Sequence, residues 1–198
     1  MNSNIYLSPH FKLKEFTKSR TARENGIDNT PPPEAVENLR ALCIHTLEPL
    51  REALGLPIII TSGYRCKVLN ERITHHSATS QHMQGEAADF VVQGAKFKVQ
   101  GSKFKVQGSK IKVQGSKINA LTGSSKLKDQ GENRRELLIK AFRTIILNDD
   151  IDFDQLIIYP SFIHVSYESR DKNRHRITKA NGHGHYRALT REEALELM

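Results

Sequence analysis

The stretch Ser80-Gln-His-Met-Gln-Gly-Glu-Ala-Ala-Asp-Phe90 decides how this chain is read. It sets His82 and Asp89 seven positions apart with Gly85, Ala87 and Ala88 between them. Small residues in that place suit a turn running into a buried strand. They equally suit a backbone that wraps closely around something both polar side chains must reach.

Working outward, "PIIIT" (Pro57–Thr61) is a short β-branched run and predicts a buried strand. "SGYR" (Ser62–Arg65) turns away from its end, "LNERITHHSATS" reads as a polar loop with a helical start, and "EAADFVV" reads as a second strand. Upstream, "KLKEFTKSRTARENG" predicts a short helix closed by Gly26. Thr30 is the expected N-cap of the next helix, because prolines suit a first helical turn. Val36, Leu39, Cys43, Leu47, Leu50 and Leu54 then recur at helical spacing, with Pro49 expected to kink or restart the helix.

Downstream, "NRRELLIKAFRTIILN" carries a helix stripe, and "FDQLIIYP" and "FIHVSY" predict two strands joined at Pro160-Ser161. In the second of these, Phe162, His164 and Ser166 share one face, and Ile163, Val165 and Tyr167 the other. The C-terminal segment reads as a loop followed by a short helix, with Thr190 and Glu193 forming a capping box.

Between these parts the composition changes. "VQGAKFK", "VQGSKFK", "VQGSKIK" and "VQGSKIN" run in tandem from Val92 to Asn119. Each unit offers few apolar residues against an ordering cost of roughly 1–2 kcal/mol per residue. Residues 94–131 are therefore read as a low-complexity insertion in a single domain spanning 1–198. The formal net charge of +8 is concentrated there and favours anionic partners. Weak binding of an anionic polymer through these lysines is one expectation. A nucleic-acid binder is a weaker one, since no recognition motif accompanies them.

Two cysteines, Cys43 and Cys66, make no disulfide framework and are expected as reduced thiols. The N-terminus shows no apolar signal core, and no run approaches the ~20 apolar residues of a membrane span. The expectation is synthesis in the cytoplasm, with a holin or other export route needed for any extracellular role.

His82, Asp89 and His164 together have the composition of a two-histidine, one-carboxylate zinc site with an open fourth position. His75, His76, His183 and His185 read as solvated loop histidines. The ordered set "SGYR", "LN", "SQHMQGEAADF", "FDQLI" and "IHVSY" resembles the M15 family of zinc D-Ala-D-Ala peptidases, in its small bacterial and phage-associated branch. The resemblance covers most of residues 10–92 and 132–170, and the repeats have no counterpart in it.

It implies an α+β domain of the hedgehog/D,D-peptidase type, with N-terminal helices packed on a small, mostly antiparallel sheet that carries one Zn2+. It implies His82, Asp89 and His164 as metal ligands, Arg65 as the catalytic and substrate-binding arginine, and Ser80 as a substrate-binding residue that orients the His82 loop. The implied activity is zinc metallopeptidase cleavage of peptidoglycan stem peptides, as a D,D-carboxypeptidase or an endopeptidase, by a monomer. The family supplies an acidic general base either three residues before the last zinc ligand or after the "DQLI" strand. Ser161 stands at the first place, no acid follows the strand, and Asp154 and Glu168 match neither position. A module that keeps zinc and binds cell-wall peptide, with weak or no catalysis, is the competing expectation.

Overall fold

The computed structural model describes residues 5–74, 76–94 and 126–197. The N-terminal half is helical. Two short helices, α1 (Leu13–Thr17) and α2 (Arg20–Glu24), stand where the sequence predicts one, parted by Lys18 and Ser19, whose hydroxyl caps α2. Helix α3 (Pro33–Leu42) has Pro32 rather than Thr30 as its N-cap, with Pro33 at its first position. The N-cap expectation for Thr30 is thus corrected by two residues, because consecutive prolines hold the chain extended until Pro33.

Pro49 has a visible consequence. Between α3 and α4 (Glu48–Leu54) the chain makes a π-helical turn over Cys43–Leu47. Proline has no N–H to give to the carbonyl of His45, four residues back. That carbonyl instead accepts the backbone N–H of Asp152, and the Thr46 hydroxyl donates to the Asp152 carbonyl. The proline therefore opens a docking point for the segment that leads into the C-terminal strands.

Six strands form one sheet: β1 (Ile58–Ser62), β2 (Ala87–Val92), β3 (Gln155–Ile158), β4 (Ile163–Ser166), β5 (Arg176–Ala180) and β6 (Tyr186–Ala188). Their order is β1-β2-β4-β3-β5-β6, and every pairing is antiparallel except β3 with β5. This is the expected α+β architecture. Helix α5 (Lys67–Glu71) lies between β1 and β2, and α6 (Lys126–Leu147) precedes β3. The C-terminal α7 (Arg191–Leu195) carries the expected Thr190–Glu193 capping box.

The register assigns the two faces of the sheet. Ala88, Phe90, Val165, Ile163, Leu156 and Ile158 point into the core, against Leu39, Leu42, Leu47 and Leu50 from the α3–α4 segment and Phe142 and Ile145 from α6. Each fully buried Leu or Phe of this kind contributes ~1.5–3 kcal/mol. The opposite face carries a continuous row: Asp89 on β2 pairs with His164 on β4, His164 with Ile157 on β3, and Ile157 with Thr178 on β5. This row floors an open cleft.

Most of the repeat segment, residues 95–125, lies outside the described residues, and α6 begins at Lys126, within the stretch read as insertion. No helix among the described residues is long and apolar enough to cross a membrane. Cys43 and Cys66 are both free thiols.

Candidate metal centre

The opening stretch resolves into a 3-10 turn, Gln81–Met83, followed by β2. Gly85 joins them with φ +76°, and a Cβ there would collide with the backbone of Ala35 on α3. Glycine is required on both counts. The Gln81–Met83 turn packs on β2, where Ala87 and Ala88 are fully buried.

The turn is also tied to "SGYR". The Arg65 N–H donates to the His82 carbonyl at 3.1 Å, and His82 Nδ1 lies 2.7 Å from the Gly63 carbonyl. Gly63 itself sits against the Phe16 backbone, at a place where a Cβ would come within 2.6 Å of it. A carbonyl accepts, so His82 Nδ1 carries the proton and Nε2 presents a lone pair.

That lone pair has no hydrogen-bond partner although it is buried. It lies 3.3 Å from Asp89 Oδ1, and His164 Nδ1 lies 2.8 Å from the same oxygen. One ligand atom from each of the three residues falls within 4.8 Å of the other two. A tetrahedral ion with bonds of ~2.0–2.1 Å sets its ligands about 3.3 Å apart. The donor set, its spacing and the orphaned Nε2 all fit such an ion.

Electrostatics favours the ligand-competent forms. Burial pushes the His82 imidazole below its ordinary value, which keeps it neutral. For Asp89, burial acts to raise the carboxyl, but the two histidines overcome it and hold the group far below the usual carboxylate range. Burial also lowers Arg65, with the Asp89 charge acting against it. Guanidinium remains charged under any of these influences.

Arg65 stands beside the histidines and Asp89. Its Nη2 is 3.4 Å from Asp89 Oδ2, while Nε donates to Ser62 Oγ at 3.3 Å. Ser62 reaches the row because the β1–β2 register slips between Ile60 and Ser62, setting Ser62 opposite Asp89. Ser80 lines the cleft, and its carbonyl accepts the Met83 N–H. The hydrogen bond it contributes to the turn thus comes from its backbone.

Asp154 is fully buried and lies behind the site. It accepts from Gln81 Nε2 at 2.9 Å, from Arg174 Nε and backbone N–H at 2.8 and 2.9 Å, and from Ser166 Oγ at 3.4 Å. Burial acts to raise its carboxyl, yet these donors bring it down to about 2. Such a group is a permanent anion and an anchor between the His82 turn and the C-terminal strands.

Three further positioning residues were given no role from the sequence, although Asn70 and Gln81 stand in the quoted "LN" and "SQHMQGEAADF" motifs. Asn29 accepts from the Cys66 N–H and donates to the Tyr64 carbonyl, clamping both sides of Arg65. Asn70 lies 3.5 Å from Arg65 Nη1 and donates to the Ser77 carbonyl. Gln81 links the turn to Asp154. Amides of this kind belong to no periodic pattern, and only the fold brings them to their partners.

The cleft above the row has a volume of about 1050 Å³. Asp89 is the only carboxylate that lines it among the described residues, against Arg65, Arg174 and Arg176. Ser161 lines it at the position where the family resemblance places an acid.

Comparison with known proteins adds one finding. The family model described as Peptidase M15 matches residues 9–118, more than half of the chain. The match takes in Arg65, Ser80, His82 and Asp89 and ends before His164. No curated protein and no solved structure matches the chain. The chain belongs to the peptidase M15 family.

Proposed function

We propose that this chain is a zinc-dependent peptidase of peptidoglycan stem peptides, with His82, Asp89 and His164 as the metal ligands. The observation that carries the reading is the convergence of three donors at the floor of an open cleft, one of them a buried, unpartnered imidazole nitrogen. When bound there, zinc would polarise the scissile carbonyl and activate a water as nucleophile.

The protein's own groups supply the rest. Hydrogen bonding of His82 Nδ1 to Gly63 fixes the tautomer that presents Nε2. Arg65, braced by Ser62 and Asn70, offers a fixed cation to a developing oxyanion or to a substrate carboxylate. Ser80 lines the cleft beside the His82 turn and is assigned to substrate contact.

Proton transfer is the weak point. A positioned acid or base contributes typically ~10²–10⁴-fold. Asp154 is locked into its donors and does not line the cleft. We therefore assign slow hydrolysis to the chain. The same observation favours a second reading, a zinc-bearing module that binds cell-wall peptide without cleaving it.

The experiment is incubation of the zinc-loaded protein with purified peptidoglycan, followed by mass spectrometry of the soluble fragments. Loss of a terminal alanine identifies a carboxypeptidase, and cut cross-links identify an endopeptidase. Retention on the wall with no fragments after prolonged incubation supports the binding module.

A further inference from the structure

The core face of the sheet carries a charge where its pattern calls for an apolar side chain. On β5, Ile177 is buried in the core and Lys179 follows two positions on, so both stand on one face. The parallel register agrees, since Lys179 pairs with Ile158, which faces the core. An inward-turned charge can protect an exposed sheet edge, but β5 lies between β3 and β6 and has no edge to protect. Lys179 is also set directly opposite Arg187 on β6, where like charges repel. Glu193 relieves Arg187 at 2.7 Å, whereas Lys179 makes no ion pair among the described residues.

Beside Lys179, the ends of β3 and β5 and helix α6 enclose a cavity of about 240 Å³. Its wall is apolar, with Leu138 and Ile139 from α6, Ile158 and Ala180 from the sheet, and Leu197. Arg135, one helical turn before Ile139, faces it as a second cation and makes no ion pair among the described residues. No carboxylate among the described residues lines it, and His82, Asp89 and His164 take no part in it. Two unpaired cations over an apolar void match a ligand with an apolar body and one anionic end.

We propose that this cavity binds a small apolar carboxylate, with its tail between α6 and the sheet and its carboxylate held by Arg135 and Lys179. The arginine fork suits a carboxylate, which it can meet with two parallel hydrogen bonds. At ~30 Å³ for each water-sized group, the space takes about eight carbons. The ligand class is therefore a medium-chain fatty acid.

The test is calorimetric titration of octanoate and octanol into the full chain, with hexanoate and dodecanoate as length probes. Octanoate is expected to bind at a single site and about ten-fold more tightly than octanol, the difference that one charge-assisted hydrogen bond makes. Affinity is expected to rise about four-fold per methylene up to about eight carbons and then level off.

Lys179→Gln and Arg135→Gln, both at exposed positions, are each expected to erase most of the preference for octanoate with thermal unfolding unchanged. Ile139→Trp, which fills the cavity from α6, is expected to abolish binding of both ligands. No binding of octanoate at millimolar concentration, equal affinity for octanoate and octanol, or a preference that survives Lys179→Gln overturns the site. So does an affinity that keeps climbing to dodecanoate, since that marks partition onto an open surface.

Discussion

Removing the Asp154 charge tests what holds the candidate metal site in place. Asp154→Asn keeps the shape and removes the anion that gathers Gln81, Ser166 and Arg174. In the folded chain the carboxyl is lowered from an ordinary 3.8 to about 2. A difference of nearly two units corresponds to about 2–3 kcal/mol at 1.36 kcal/mol per unit.

The sign follows from the depressed value. The contribution is fully present above the unfolded value near 3.8 and is lost as pH falls through about 2. Urea unfolding of both proteins at several pH values is the assay. At neutral pH the variant is expected to be about 2–3 kcal/mol less stable, a melting point lower by ~5–10 °C for a domain of this size. Between about pH 4 and pH 2 the two curves should converge. A loss below about 0.5 kcal/mol at neutral pH, or a gap that does not close with acid, would refute the anchoring role.

Three shorter predictions follow from the cleft. Arg65→Ala should lower turnover ~10²–10³-fold while leaving zinc content intact, since it removes a donor to developing charge and no ligand. Equal losses of zinc and activity would make Arg65 structural. Ser161→Glu should raise hydrolysis of stem peptides, because it returns a carboxylate to a cleft lined by only one among the described residues. An unchanged rate in a folded, zinc-loaded variant would show that the base lies elsewhere. Replacing residues 95–125 with a short Gly-Ser linker should leave thermal unfolding and zinc content unchanged. The β2 strand and α6 pack on each other on either side of the replaced segment, and loop length costs only ~0.6 kcal/mol per doubling. A collapsed transition would make the repeats part of the core.

The sequence was legible wherever burial imposes a period. The Leu39–Leu54 stripe and the alternation through His164 each face one core, and each stands where the pattern puts it. The run at Ile58 forms the expected strand, but at the edge of the sheet with Ile59 exposed, so the expectation of a buried strand is corrected: only Ile58 is buried there. It was legible at the site because His82, Asp89 and Arg65 lie in short motifs whose glycines are fixed by backbone collisions at Gly63 and Gly85. The β5–β6 hairpin was read as loop. Its strands are short, and β6 is exposed throughout, so no apolar alternation marks it.

The anchoring role of Asp154 was equally hidden. Its donors lie twenty residues downstream in Arg174 and seventy-three upstream in Gln81, and no local pattern records such a pairing. The single predicted helix over residues 12–26 became two because the Ser19 hydroxyl caps a new start, a local contact that outweighs propensity.

The central claim is that His82, Asp89 and His164 hold one catalytic zinc, and metal content tests it most directly. The chain and its His82→Ala and His164→Ala variants are purified without added metal, and zinc per chain is measured by mass spectrometry. About one zinc is expected in the unaltered chain and less than about a tenth of that in either variant, since a site of three protein ligands cannot close with two. Full zinc content in both variants would contradict the assignment.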